Sequence, residues 1–299
     1  MRRKGRLSVV IPFLAPAMIL YIYFFIVPAV KAFYISLTEW NGFQVNKIFI
    51  GLDNYVTLLK DKNFGIAAGN TFIIMIAGGL LTFGIALLFT FMLTQRGMKG
   101  RKFFPNLYYF PNMVSQAALA VLWAFVFSPN FGLLNNFLKA IGLESLQQVW
   151  LGSRPIALAS IIAASTWGFM GFYLLLLLAG VDKIPPTYYE AAGVDGASPI
   201  MVFRQVTLPL LRDVIIISIS LWMINIIKFF DLVWALTRGG PANATHTLAT
   251  YMYMTSFGTV NVPSFNLGLG TAIGVIMFIM VVIIVGLFRK IFEREPLEF

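Results

Sequence analysis

The chain has 299 residues, of which 59% are hydrophobic and 11% charged, and a formal net charge of +10. Soluble domains carry about 25% charged residues, so this composition excludes an ordinary soluble protein and indicates a membrane protein. Cysteine is absent and His246 is the single histidine, which excludes disulfides, thiolate metal sites and a histidine cluster; no metal and no cofactor are expected.

The basic residues lie between apolar runs, as the positive-inside rule describes, so no nucleic-acid partner is expected. Arg2, Arg3, Lys4 and Arg6 precede an uncharged run from Leu7 to Val30. A secretory signal also starts basic, but its apolar core is only about 7–15 residues. This run exceeds the roughly 20 residues that span a bilayer. A first transmembrane helix is therefore expected near residues 11–34, after an inner tail over 1–10, with Pro12, Pro16 and Pro28 kinking or bounding it. Residues 35–68 read as an outer loop containing Trp40, Lys47 and Asp53. The second span is expected over 69–94. Arg96, Lys99, Arg101 and Lys102 then crowd a short connection that belongs inside. The third span lies within 103–127 and holds Pro105-Asn106, Pro111-Asn112, Ser115 and Gln116, polar groups whose first expected role is helix packing. An amphipathic outer stretch runs from Gly132 to Leu151. The fourth span is expected over 156–180, the fifth over 214–234 and the sixth over 267–288, with Arg289, Lys290 and Arg294 following on the inner side. Six spans with both termini inside put most of the 22 basic residues on the inner face.

Between the fourth and fifth spans, residues 182–212 are too polar to cross. Pro185 and Pro186 start a short helix, and Gly193 or Gly196 ends it. Ser198 followed by Pro199 caps a second one, and Leu208-Pro209 turns the chain back. The ordered series Glu190-Ala191-Ala192, Asp195-Gly196-Ala197, Phe203 and Leu208-Pro209 resembles the signature cytoplasmic loop of binding-protein-dependent ABC importer permeases. The stretch GLDNYVTLL, residues 51–59, and the amphipathic stretch after the third span are similar to further elements of that family. Leu236-Thr237, Gly239-Gly240-Pro241, Thr245, Tyr253 and Phe257 resemble its carbohydrate-uptake subclass, of maltose and glycerol-phosphate type, although an outer turn alone accounts for the glycines and proline.

The resemblance implies an all-α membrane protein with six transmembrane helices and the type I ABC importer permease fold. Residues 11–299 would form the permease domain, with a coupling loop over 182–212, in a bacterial plasma membrane. It also implies partners: a second homologous permease, two ATPase subunits, an extracytoplasmic solute-binding protein and a sugar substrate. The coupling residues it implies are Glu190, Ala191, Ala192, Gly193, Asp195, Gly196 and Ala197. The chain contains no Gly-Lys dipeptide and hence no G-x-x-x-x-G-K phosphate loop. Hydrolysis is expected on another polypeptide, and this chain is not expected to be an enzyme.

A translocation path needs groups on facing helices near the bilayer midplane. Ser165, Gly168, Phe169 and Phe172 share one helical face of the fourth span, as do Trp222, Asn225, Ile226 and Phe229 of the fifth. Hydroxyl, amide and aromatic groups suit a sugar, so Ser165, Phe169, Phe172, Trp222, Asn225 and Phe229 are the substrate-binding candidates; helix packing accounts for each of them equally well. Lys228 and Asp231, three residues apart, are expected to pair at headgroup level. Gly270 and Gly274 make a GxxxG, a signal for close helix packing. Two rival functions remain open. A permease for a glycerol phosphodiester or an amino acid is one, and for a phosphate only Lys228 offers a cation within the spans. An ion-coupled secondary transporter is the other; it wants acids buried mid-span, and spans one to four and six have none in their cores.

Overall fold

The computed structural model describes the backbone of residues 2–95, 98, 100–101, 103–258 and 263–292, and their side chains from residue 11 onward. Arg96, Lys99, Lys102 and Arg294, assigned above to the inner face, lie outside the described residues, as do the side chains of Arg2, Arg3, Lys4 and Arg6.

A first helix, α1, occupies residues 2–35 and passes through a π-helical turn at Ile22–Ile26. Two short antiparallel strands follow, β1 (Thr38–Glu39) and β2 (Ile48–Phe49), then α2 (Asp53–Lys60) and α3 (Lys62–Leu93) with a π turn at Ile74–Gly78. Next come α4 (Phe104–Met113), α5 (Gln116–Val126), α6 (Leu133–Ala140) and α7 (Arg154–Val181). The chain continues with α8 (Pro186–Val194), α9 (Pro199–Leu210) and α10 (Arg212–Ile227). It ends in α11 (Asp231–Thr237), α12 (Leu248–Phe257) and α13 (Leu267–Phe292).

Four helices are long and apolar enough to cross a membrane unbroken: α1 over Ile11–Ile35, α3, α7 and α13. The pairs α4–α5 and α9–α10 bend by 99° and 68°. With each bent pair taken as one span, the described residues hold six. Two expectations change. The third span is broken, because Val114 is extended and the Ser115 hydroxyl accepts the Ala118 N–H at 3.3 Å, capping a fresh helix. The fifth stops at Ile227 rather than near residue 234, with α11 as a separate helix. The first span, Ile11–Ile35, lies where expected, and its helix runs back to Arg2.

The chain divides into two compact units: the residues before Lys62 with Met252–Phe278, and Lys62–Tyr251 with the residues from Ile279. In the first, buried Asn54 of the GLDNYVTLL stretch donates to the Ser36 and Thr38 carbonyls at 2.9 and 3.0 Å. The Tyr55 hydroxyl lies 2.7 Å from that of Ser36. The start of α13 joins them, since the Gly268 N–H donates to the Trp40 carbonyl at 3.0 Å and a Cβ at Gly268 would overlap the Thr38 carbonyl oxygen. The motif is therefore a packing hub. Helix α1 buries none of its apolar window within the chain.

The second unit is built around α7, whose apolar window is 67% buried. Between helices in lipid, association depends on close packing rather than water exclusion, so small residues mark the contacts. Gly171 lets α7 touch the α4 backbone, where a Cβ would overlap the Tyr108 carbonyl. At Gly180 a Cβ would sit 2.6 Å from Leu211, and at Gly168, 3.3 Å from Leu119. Tyr173, Leu177, Trp222 and Ile226 fill the core between α7 and its neighbours. Replacing Gly171 by alanine should overpack this contact at a cost of about 1–3 kcal/mol, measured as a lower melting temperature of the detergent-solubilised protein. Gly65→Ala, where nothing lies within 4 Å, should cause no such loss.

Candidate functional site

Residues 182–212 form an arm of two short helices whose local chemistry is written in its caps. Pro185 is extended and Pro186 occupies the first helical position of α8. The helix ends in a Schellman turn, with the Ala197 N–H donating to Ala192 at 3.0 Å and the Gly196 N–H to Gly193 at 3.2 Å. Gly196 has φ +70 with open space around it, so its glycine answers a conformational need alone. The Ser198 hydroxyl accepts from the Met201 N–H at 3.4 Å and Pro199 starts α9. Both caps lie where the sequence puts them.

The inner face of the arm is held and the outer face is bare. Val181, Ile184 and Leu211 make a small core over which Tyr189 and Leu210 pack. The Tyr189 and Thr207 hydroxyls lie 3.4 Å apart, and Phe203, in the π turn of α9, meets Phe91 of α3 edge to face at 5.1 Å. Arg101 pairs with Asp182 at 2.8 Å, an exposed bridge worth about 0–1 kcal/mol. A cavity of about 720 Å³ opens behind α8, bordered by Arg101, Asp182, Tyr189, Glu190 and Phe203. Glu190 and Gly193, which line this cavity, are nonetheless exposed, and Ala197 in its lining is half-buried; away from the lining, Ala191 and Asp195 are exposed, Ala192 is half-buried, and Val194 is 89% exposed. Small residues, two acids and a bare valine along this anchored helix and its C-cap make a surface that a partner's cleft can close upon.

The six substrate candidates meet different environments. Phe169, Trp222 and Phe229 form one aromatic cluster, with centroids 6.0 Å apart for Phe169–Trp222 and 5.9 Å for Phe169–Phe229. Trp222 is buried in a notch made by Gly78 and Gly79 of α3, where a Cβ at Gly79 would lie 2.8 Å from its indole nitrogen. Its N–H donates to the Met75 carbonyl at 2.8 Å. Ser165 is fully buried and donates to the Ile162 carbonyl at 3.0 Å. Phe172 and Asn225 are half-buried, Phe172 packing edge-on against Tyr173 at 5.1 Å. Neither the cavity behind α8 nor the groove described below is lined by these six. Lys228 and Asp231 are both exposed and form no ion pair among the described residues. The expected helical i, i+3 pairing fails because α10 ends at Ile227 and α11 begins only at Asp231.

A second polar hub joins the turn after α11 to α3 and α7. Buried Asn70 donates to the Ala244 and His246 carbonyls at 2.8 and 2.9 Å, and Arg154 donates to Asn70 at 3.2 Å. The Leu248 N–H donates to the Thr71 hydroxyl at 3.0 Å, and the Thr247 hydroxyl to the Phe229 carbonyl at 2.7 Å. Gly239, at φ +82, leaves room for the His246 ring. An Asn-Thr pair inside an apolar span was the signal available for this hub. His246 lies outside the spans; burial pushes its imidazole down from 6.5 to about 4, with Nδ1 at 3.1 Å from the Thr250 hydroxyl. The unfolded chain therefore takes up the proton first, so the neutral ring's contribution is complete above pH 6.5 and is lost progressively as pH falls towards 4. The melting temperature should fall across that window more steeply for the native chain than for His246→Gln.

Residues 86–296 match the family model of the binding-protein-dependent transport system inner membrane component. The chain is 34% identical to a probable ABC transporter permease protein of Pyrococcus horikoshii, over 95% of this chain and 96% of the relative. It is 32% identical to the trehalose/maltose transport system permease protein MalF of Thermococcus litoralis, over 94% and 92%. It is 33% identical to the sn-glycerol-3-phosphate transport system permease protein UgpA of Escherichia coli, over 93% and 92%. The fold matches a chain of a bacterial ABC transporter involved in import of the acidic polysaccharide alginate, with TM-score 0.83, 24% identity and 98% of each chain covered. This chain belongs to the binding-protein-dependent ABC transporter permease family, as a membrane-spanning subunit.

Proposed function

We propose that the chain is one half of the translocation pore of a carbohydrate importer, with ATP hydrolysed on separate subunits that grip α8. The observation that carries this reading is the arm itself, apolar-anchored on its inner face and bare along Glu190, Ala191, Gly193 and Val194. A second, homologous permease completes the pore, two ATPases dock on the arms, and an extracytoplasmic binding protein delivers the sugar. The basic ends around Arg101, Arg212, Arg289 and Lys290 support an orientation with the arm and both termini on the cytoplasmic side. ATP binding closes the ATPases on α8 and switches the pore, since partner docking that differs between two states shifts their populations. Glu190, Ala191, Ala192, Gly193, Asp195, Gly196 and Ala197 are the coupling set. Within the pore, half-buried Phe169, Phe172 and Asn225 are the groups best placed to meet a sugar, because the Trp222 N–H is already committed to Met75.

A glycerol-phosphate cargo is the second reading, favoured by the exposed cation Lys228 at the end of α10 and by the likeness to UgpA. The test reconstitutes the chain with its neighbouring permease, ATPase and binding protein, and measures ATP hydrolysis with each solute. Stimulation by a sugar that requires the binding protein, reduced about tenfold or more in Glu190→Ala or Val194→Asp, is the expected result, that being the scale for losing an interface anchor. Hydrolysis indifferent to both substitutions would sink the docking role. Stimulation by a glycerol phosphate, abolished in Lys228→Met, would replace the sugar.

A further inference from the structure

A groove of about 460 Å³ lies in the second unit, between α9–α10 and the last turns of α13. Ile215, Ile219, Phe288 and Phe292 wall it with apolar surface, and among the described residues Arg204 and Arg212 are the only polar ones that line it. Phe288 and Phe292 pack on each other at 4.8 Å. Arg212, at the first turn of α10, donates to the Phe292 carbonyl at the end of α13. That bond fixes the guanidinium at the mouth while leaving most of its five N–H donors for another acceptor. Arg204 is exposed on the π turn of α9 and makes no ion pair among the described residues. Asp213 is half-buried and is not part of the lining.

The groove runs from the two arginines to Ile219. The seven steps from Arg212 to Ile219 rise about 10 Å along the helix, enough for the upper part of an acyl chain. At the mouth, two guanidiniums match the planar, two-pronged recognition of a phosphate. Among the described residues no acidic side chain lines the groove, so none of them offers a partner to the ammonium of a zwitterionic headgroup. Basic pockets between membrane helices are sites for anionic headgroups.

We propose that this groove holds one anionic phospholipid of the surrounding bilayer, its phosphate on Arg204 and Arg212 and an acyl chain against Ile215, Ile219 and Phe288. The site lies at the 68° bend between α9 and α10, so the lipid wedges the base of the arm. The inference needs only that the chain spans a bilayer and stands apart from the nature of the cargo.

The test purifies the intact transporter in mild detergent and counts retained phospholipid by native mass spectrometry, then repeats the count after exchange into nanodiscs of phosphatidylglycerol or phosphatidylcholine. The native chain should retain one phosphatidylglycerol per copy and discriminate against phosphatidylcholine. Arg204→Gln with Arg212→Gln should weaken retention at least about tenfold, the scale of one lost charge-assisted hydrogen bond. Ile219→Trp, which fills the groove, should exclude either lipid. If the double variant fails to fold for want of the Phe292 contact, Arg204→Gln alone carries the test, since that side chain is exposed. Equal retention by native and substituted chains, equal binding of both headgroups, or no retained lipid because a neighbouring subunit covers the groove would each overturn the proposal.

Discussion

The close approach of α7 to α4 at Gly171 is the contact on which the second unit depends. Because a side chain there would overlap the Tyr108 backbone, the two helices pack backbone to backbone, a contact that needs no water exclusion to favour it in lipid. Helix α7 then carries order in both directions. Towards its start, Arg154 reaches Asn70, which holds the turn before α12. Towards its end, Gly180 and Val181 seat Leu211, so the chain leaves α7 already fixed against the base of the arm.

The arm inherits its rigidity from that base and its exposure from its own sequence. Its inner contacts are few and local: the Val181–Ile184–Leu211 core, the Phe91–Phe203 edge contact and the Arg101–Asp182 bridge. Each is weak enough to rearrange, and with Tyr189 of α8 packed over that small core they tie the arm to α3, to the end of α7 and to Leu211 at the start of α10. A partner that grips the bare face thus pulls on three helices of the pore. This is the physical content of coupling in the proposed function: docking energy that differs between two states, delivered through a short lever.

The arm was legible in the sequence because caps are local chemistry. Pro186, Gly196 and Ser198-Pro199 each specify a backbone conformation within a few residues, and the structure has each of them in that conformation. Apolar spans were legible as segments, since length and hydropathy decide them. Their breaks were less so. Pro111 and Ser115 were in view, yet a mean over 103–127 conceals the 99° bend, and the stop at Ile227 lies inside a run that, apart from Lys228 and Asp231, stays apolar as far as Trp234. Side-chain direction was the least legible feature. Trp222 shares a helical face with Asn225, but it turns into a notch formed by Gly78 and Gly79, more than a hundred residues away in sequence. No spacing within α10 announces that notch. Asn54, read as part of a family-like stretch, proved to be a hydrogen-bonding hub for the same reason, because its acceptors Ser36 and Thr38 are fixed only by the fold.

The chain has no cysteine, so a single introduced thiol reports one position without background. The most direct measurement places a thiol-linked photocrosslinker at Val194→Cys, on the bare face of α8, and at Leu59→Cys, which is 81% exposed on α2, in membranes containing the assembled transporter. Adducts with the ATP-hydrolysing subunit at 194 and none at 59 are the predicted result. No such adduct at 194, or equal yields at both positions, would contradict the docking of α8.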